Sequence, residues 1–312
     1  MIESLRRFGG RFADVPVIVV TPRIGPPLAD KTQRRLRQLG VRYLRIRPET
    51  RYVWHHYMNK GQAVKAADRI AETDSILWMD SDLLFLGEPS DIERPRGIDF
   101  LASAPDTGLI GSHGGDDPHD AFWSRCAALV GLDVDQLPWV TTADGHRIRF
   151  YWNSGMFLYR RGTDLGREYA DDLERAMVAG VARTHDQVHF IDQAILGMTV
   201  LRLGLSWQAI PETSNVPVTR FLPESFDPAK LRPVEVLHYH DSMAPDMWPR
   251  LLATLAESHP EVHEWLSPMG PIVDPATRAW GLVREGLRIM RGLERRRYYA
   301  RNGFTKGMQT VR

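Results

Sequence analysis

The stretch Ile76-Leu77-Trp78-Met79-Asp80-Ser81-Asp82-Leu83-Leu84-Phe85-Leu86 decides the fold. An apolar run that ends in two carboxylates predicts a buried strand emerging from a sheet. Side chains alternate along a strand, so Asp80 and Asp82 face the same way if extended geometry continues through Ser81. Two close carboxylates repel, and a divalent cation relieves that cost. Hard oxygen ligands suit Mg²⁺ or Mn²⁺, and such ions keep positions open for phosphate oxygens. Strand ends in α/β sheets are also where ligands bind. The stretch therefore points to a metal–diphosphate site, with a solvated surface turn as the competing interpretation.

Working outward, Glu3 to Phe8 predicts a short helix and Val15 to Val20 a buried strand stopped by Thr21-Pro22. A helix over Asp30–Leu39, a strand over Val41–Ile46 and a helix over Lys60–Thr73 follow. Downstream, the pattern predicts a strand over Phe100–Ser103 and a helix over Ala121–Val130. Pro138–Arg149 suits a hairpin with its turn at Asp144-Gly145. A strand over Met156–Tyr159, helices over Asp164–Val178 and Val188–Leu203, and a late strand over Val234–His240 complete the core. Strands alternating with helices argue for a doubly wound, largely parallel α/β sheet. The long loop Asp106–Asp120, rich in Gly, Asp and His, is a functional-loop candidate.

Composition excludes several classes. The net charge of +1 gives no bulk attraction to nucleic acid. The single cysteine, Cys126, precludes an intrachain disulfide and lies in an apolar run that suits a buried thiol. No apolar run is long enough to span a bilayer, and residues 1–15 lack a signal-peptide core. The expected location is the cytoplasm. Beyond Pro245 the character changes to helices punctuated by Pro260, Pro268, Pro271 and Pro275. This places a domain edge there, with a core over 1–245 and a basic helical extension over 246–312. Trp280, Val283, Leu287 and Met290 form a helical stripe, and seven arginines fall between Arg284 and Arg301. A terminal packing helix is the favoured interpretation; peripheral contact with an anionic membrane is the alternative.

Four short motifs stand in order at element ends: Asp80-Ser81-Asp82, Asn153-Ser154-Gly155, Asp192-Gln193 and His238-Tyr239-His240. Over roughly residues 3 to 245 the set resembles GT-A fold glycosyltransferases, most nearly the retaining enzymes of the glycogenin and bacterial lipooligosaccharide galactosyltransferase kind. The resemblance implies a Rossmann-like mixed, mostly parallel sheet flanked by helices. It implies transfer of a sugar from a nucleotide-diphosphate sugar to a glycan, lipid or protein acceptor, with retention, and Mn²⁺ or Mg²⁺ as cofactor. Carried over, Asp80, Asp82 and His238 would bind the metal. Asp192 and Gln193 would be catalytic, facing the anomeric carbon and the sugar hydroxyls. Lys60, Ser81, Asn153, Ser154, Gly155 and His240 would bind the substrate, with Lys60 near the diphosphate or ribose.

Two departures from the family pattern stand out. Relatives follow the late histidine with Gly-x-x-Lys-Pro, but here Ala244 falls where the lysine would be; Lys60 or Arg220 would have to substitute. The family also opens with a strand ahead of the first helix. This chain begins at that helix, so the first strand is expected to be absent, replaced, or encoded outside this sequence. Two alternatives remain in view: a haloacid-dehalogenase-like phosphatase, which also places Asp-x-Asp after a strand, and a non-catalytic GT-A-like binding protein.

Overall fold

The computed structural model describes residues 1–90, 92–106, 108–273 and 278–304. Helix α1 (Ile2–Phe8) leads through a short 3₁₀ turn into β1 (Val17–Pro22), and α2 (Asp30–Gln38) leads into β2 (Val41–Ile46). Helix α3 (Met58–Asp68) precedes β3 (Ser75–Met79), which turns directly into β4 (Leu83–Phe85). Strand β5 (Phe100–Ser103), helix α4 (Asp120–Leu129), the hairpin β6 (Trp139–Thr141) and β7 (Arg147–Arg149), and β8 (Asn153–Arg160) come next. Three helices follow: α5 (Leu165–Ala179), α6 (His185–His189) and α7 (Ile191–Arg202). Then come β9 (Trp207–Ala209), β10 (Ser214–Pro217), α8 (Pro228–Leu231) and β11 (Val236–His238). The chain closes with α9 (Trp248–Ser258), α10 (Pro260–Leu266) and α11 (Arg278–Arg301).

The architecture is mixed α/β. Parallel pairing is confined to β1–β2, β5–β9 and β10–β11. The middle strand β8 runs antiparallel to both β3 and β5, and β4 runs antiparallel to β11. Among the described residues the strands are therefore paired less often in parallel than alternating strands and helices suggest. Strand β8 is buried from Asn153 to Tyr159. Helices α3, α5 and α7 pack together as one layer. A Cβ at Gly61 would lie 3.0 Å from Leu173 Cδ1 and 3.1 Å from Ala170 Cα, so glycine is what lets α3 approach α5.

The expected elements are present with shifted ends. Strand β1 runs on through Thr21-Pro22, where proline is tolerated because that edge is unpaired. Helix α3 stops at Asp68, short of Thr73. The helix expected over Val188–Leu203 breaks at Phe190, so Asp192 and Gln193 sit in the first turn of α7. Asn153-Ser154-Gly155 lies inside β8 rather than ahead of it. Residues on both sides of 245 share one apolar cluster, in which Leu237 and Tyr239 meet Trp248, Leu251 and Leu255. The C-terminal half of α11 is anchored by Tyr298, which packs against Tyr52 and Trp54. Pro275 and the side chain of Trp280 lie outside the described residues. Among the described residues, no helix is long and apolar enough to cross a membrane.

Candidate active site

The extended geometry that would align Asp80 with Asp82 does not hold. Ser81 and Asp82 form a turn between β3 and β4, and the two carboxylates go separate ways. Asp80 Oδ1 accepts a hydrogen bond from Trp78 Nε1 at 2.9 Å, and Oδ2 accepts one from Lys60 Nζ at 3.3 Å. Asp82 Oδ2 instead lies 3.2 Å from His238 Nε2 and 4.0 Å from His240 Nδ1. Strand pairing dictates this second meeting. Leu83 in β4 is the register partner of His238 in β11, and Tyr239 N–H donates to the Asp82 carbonyl at 3.0 Å.

Asp82, His238 and His240 bring one ligand atom each to within 4.8 Å of one another. The two imidazoles stack with centroids 3.8 Å apart. His240 takes a left-handed backbone conformation, φ 41°, which folds its ring back over His238. Burial, reinforced by the neighbouring His238, pushes His240 down to about 4, so it is a neutral ligand at ordinary pH. Burial works to raise the Asp82 carboxyl, but the hydrogen bond and charge of His238, a backbone hydrogen bond and His240 together outweigh it and hold the group below its usual range. His238 Nδ1 is buried with no partner among the described residues. One carboxylate and two imidazoles suit a transition-metal ion such as Mn²⁺ better than Mg²⁺, which prefers oxygen ligands throughout. These residues fit a divalent cation. His240, expected as a substrate contact, lies within this group of three, and Asp80 lies outside it.

Asp80 belongs to a second network. Lys60 is buried, and its Nζ donates to Ser154 Oγ at 2.6 Å and to the Ser154 carbonyl at 3.0 Å. The same ammonium lies 3.2 Å from Asp192 Oδ2, which also accepts from Ser154 Oγ at 2.7 Å. Burial works against the Lys60 charge, but Asp80 and Asp192 win and raise its basicity. Burial raises the Asp80 carboxyl despite the opposing pull of Lys60 and His238. Lys60 thus bridges two carboxylates while lining the cleft. Asp192 Oδ1 is buried and has no partner among the described residues. It sits where the first turn of α7 favours an anion.

Both groups border a cleft of about 940 Å³ that also contains Asn153, Gln193 and Ser81. Asn153 Oδ1 accepts from Gly155 N–H at 2.8 Å. A Cβ on Gly155 would come 3.0 Å from His238 Cε1, so glycine lets β8 run close to that histidine. Gln193 Oε1 accepts from Tyr151 Oη at 2.6 Å. Lys60 is the one cation lining the cleft among the described residues. Arg220, the other proposed substitute for the lysine replaced by Ala244, is held by Asp241 and, at 2.9 Å, by Asp246.

The motifs did not single out three contributors. Asp106 lines the cleft, takes a 3.4 Å hydrogen bond from Asn153 Nδ2, and is pushed up to about 6 by burial. Its signal was its place at the end of β5, opening the long loop. Tyr57 and His189, joined Oη to Nε2 at 3.2 Å, form another part of the wall and carried no readable motif. Asp172 is a buried clamp between α5 and α7. It accepts from Thr199 Oγ1 at 2.9 Å and from Arg202 Nε at 3.1 Å. Cys126 is fully buried, and burial pushes its thiol up, so it is inert.

A mixed α/β architecture whose Asp-x-Asp turn meets a late histidine pair at the edge of a cleft agrees with a GT-A-type glycosyltransferase. Residues 1–204 match the family model of the Rhodobacterales glycosyltransferase domain, and the chain belongs to that family. It is a glycosyltransferase, which removes the phosphatase alternative. No curated protein matches its sequence. Among solved structures it is similar to an active-site mutant of LgtC, at 14% identity and a TM-score of 0.43, over 88% of this chain and 91% of that one. It is also similar to mouse xyloside xylosyltransferase 1, at 12% identity and a TM-score of 0.39, over 76% and 89% of the two chains.

Proposed function

We propose that this glycosyltransferase moves a sugar from a nucleoside-diphosphate sugar to an acceptor, with a divalent cation, Mn²⁺ or Mg²⁺, held by Asp82, His238 and His240. The observation that carries this reading is the convergence of those three donors at the edge of a cleft that also holds Asp80, Asn153 and Gln193. When bound, the cation would act as a Lewis acid toward the negative charge that builds on the departing diphosphate. The need for it is acute here, since Ala244 supplies no cation and Lys60 and Arg220 are both engaged.

The chain's own groups then have distinct duties. Lys60 and Ser154 fix the Asp192 carboxylate, whose buried Oδ1 has no partner among the described residues, just behind the cleft wall that Phe190 and Gln193 form. A carboxylate so placed stabilises the oxocarbenium-like character that develops as the leaving group departs. Gln193, oriented by Tyr151, offers its amide nitrogen to the same region. Asn153 and the Gly155 backbone contact the sugar, and Asp106 accepts a hydroxyl proton in a hydrogen bond. Ser81 lies at the turn that separates the cation group from the lysine network. Retention at the anomeric carbon is inferred from the Asp192-Gln193 pair.

The test is thermal unfolding with nucleoside diphosphates, with and without Mn²⁺. A ligand at a hundred times its dissociation constant stabilises the folded state by about 2.7 kcal/mol. The expected result is a Mn²⁺-dependent rise in melting temperature that Asp82→Ala and His238→Ala each abolish while the unliganded fold persists. Stabilisation that survives both substitutions, or chelation, overturns the assignment.

A further inference from the structure

Strand β10 carries a break in its pairing beside the histidine pair. It runs parallel to β11, with Pro217 as the register partner of His238, but the register slips between Ser214 and Val216. Asn215 is the residue left over. Its backbone takes a left-handed conformation, φ 64°, which asparagine tolerates better than most side chains. A bulge of this kind takes its extra side chain out of the strand's alternation and aims it elsewhere.

Here the side chain is aimed into the core beside His238. Asn215 is 2% exposed, and both its Oδ1 and its Nδ2 are buried with no partner among the described residues. His238 Nδ1 is in the same condition. Asn215 Oδ1 and His238 Cε1 each lie 3.0 Å from the point that a Cβ on Gly155 would occupy, so amide and imidazole are neighbours across that glycine. Asn153 Oδ1 lies equally close to that point, but it already accepts from Gly155 N–H. Buried polar atoms left unpaired are costly, so three in one place point to one another.

The chemistry of the ring gives the pairing a use. A neutral imidazole carries its proton on one nitrogen only. With the proton on Nε2, His238 can donate to Asp82 Oδ2, 3.2 Å away, and Nδ1 then needs a donor. To offer the Nε2 lone pair to a cation, the ring must carry its proton on Nδ1, which then needs an acceptor. An amide supplies both, Nδ2–H for the first form and Oδ1 for the second. The last torsion of asparagine is broad, so the amide can present either atom.

We propose that Asn215 is a positioning residue for His238. Its side-chain amide engages Nδ1, directly or through one buried water, fixes the ring plane and keeps the proton on Nδ1 while Nε2 faces the cation. This role rests on the cation site assigned above to Asp82, His238 and His240. Asn215 does not line the cleft, so it acts through His238 and not on the substrate.

Two substitutions separate this role from a structural one. Asn215→Gly removes the amide and Asn215→Asp keeps an acceptor, and both residues accept the left-handed backbone. Mn²⁺ binding to the full chain, with no sugar donor, is read by electron paramagnetic resonance of the free ion. Asn215→Gly is expected to bind at least about tenfold more weakly, and Asn215→Asp as tightly as the unsubstituted chain. Equal affinity in the unsubstituted chain and Asn215→Gly overturns the proposal. So does equal weakening in both variants, which is what a purely structural bulge would give. The second measurement needs no metal: nitrogen NMR of the imidazole rings. Asn215→Gly should move the Nδ1 resonance of His238 and leave that of the buried His55 in place; an unmoved His238 Nδ1 overturns the proposal. An unsubstituted chain that binds no Mn²⁺ would sink the cation assignment alone, and the Nδ1 resonance would still decide whether Asn215 holds His238.

Discussion

Replacing Lys60 with methionine keeps most of the apolar stem and removes the charge that joins Asp80 to Asp192. The side chains of Lys60 and Asp192 are 5% and 1% exposed, and that of Asp80 is 23% exposed. Solvent therefore does little to screen the loss. Removing one partner of a buried ion pair costs about 3–5 kcal/mol. One cation serves two carboxylates here, but Asp80 retains some access to water, so the cost should stay within that range rather than double. That is a large part of a domain's usual stability of about 5–15 kcal/mol. The pH dependence has a definite sign. Burial already raises Asp80 and Lys60 opposes that rise, so the variant's folded-state value climbs further. A folded value above the unfolded one means that the folded chain holds the proton more tightly. Lys60→Met should therefore be least impaired at acid pH and lose stability as pH rises through the raised folded value. In the unsubstituted chain Lys60 itself is raised, so its contribution persists below the ordinary lysine range and fades only as pH rises through its folded value. Urea unfolding at pH 5.5 and pH 8 measures both effects, and Asp80→Asn in the Lys60→Met background should recover part of the loss. A cost below about 1 kcal/mol at both pH values would refute the view that a buried network fixes Asp192.

Three further outcomes are expected. Asp106, pushed up to about 6, should give a kcat/KM that rises as pH climbs through that value, and Asp106→Asn should flatten the limb; an unchanged limb would remove Asp106 from the site. The first-formed product should keep the donor's anomeric configuration by NMR, and an inverted anomer would require a separate general base. Helix α11 exposes Leu282, Ile289 and Leu293 among its arginines, so the protein should co-sediment with phosphatidylserine vesicles at low salt and release at high salt; salt-insensitive absence from the pellet would leave α11 a packing helix.

Local pattern carried most of the elements, since periodicity and turn chemistry act within a few residues. The strand at Val41–Ile46, the strand at Phe100–Ser103 and the β6–β7 hairpin lie where the pattern places them. What local pattern missed was set at long range. Strands β9 and β10, three and four residues long, carry too few residues to show a period, and they are strands because β5 and β11 lie beside them. The break at Phe190 arises where α6 ends and α7 enters the core, an interruption that no glycine or proline marks in His185-Asp186-Gln187-Val188-His189-Phe190-Ile191-Asp192. Lys60 meets Ser154 across 94 positions of chain, so a helix-start lysine gave no sign of being a buried bridge.

The Asp-x-Asp stretch is the sharpest case, because the pattern marks its residues but not the separate partners that the fold gives them. A straight strand would put both carboxylates in one site. The turn at Ser81-Asp82 instead sends Asp80 back toward the helical layer, where Lys60 and Trp78 hold it, and sends Asp82 across to β11. The turn is required because β3 and β4 belong to different hydrogen-bonded groups: β3 pairs with β8 and β4 pairs with β11. One short connection thus links a network that ends on Asp192 to a group that can hold a cation. A shift of β11 relative to β4 would separate His238 from Asp82 without touching Lys60. Loss of Lys60 would disturb Asp80 and Asp192 while leaving the histidine pair in register. The two halves of the site are coupled through the backbone of residues 80–82, and substitutions on either side should be additive in stability unless they move that turn.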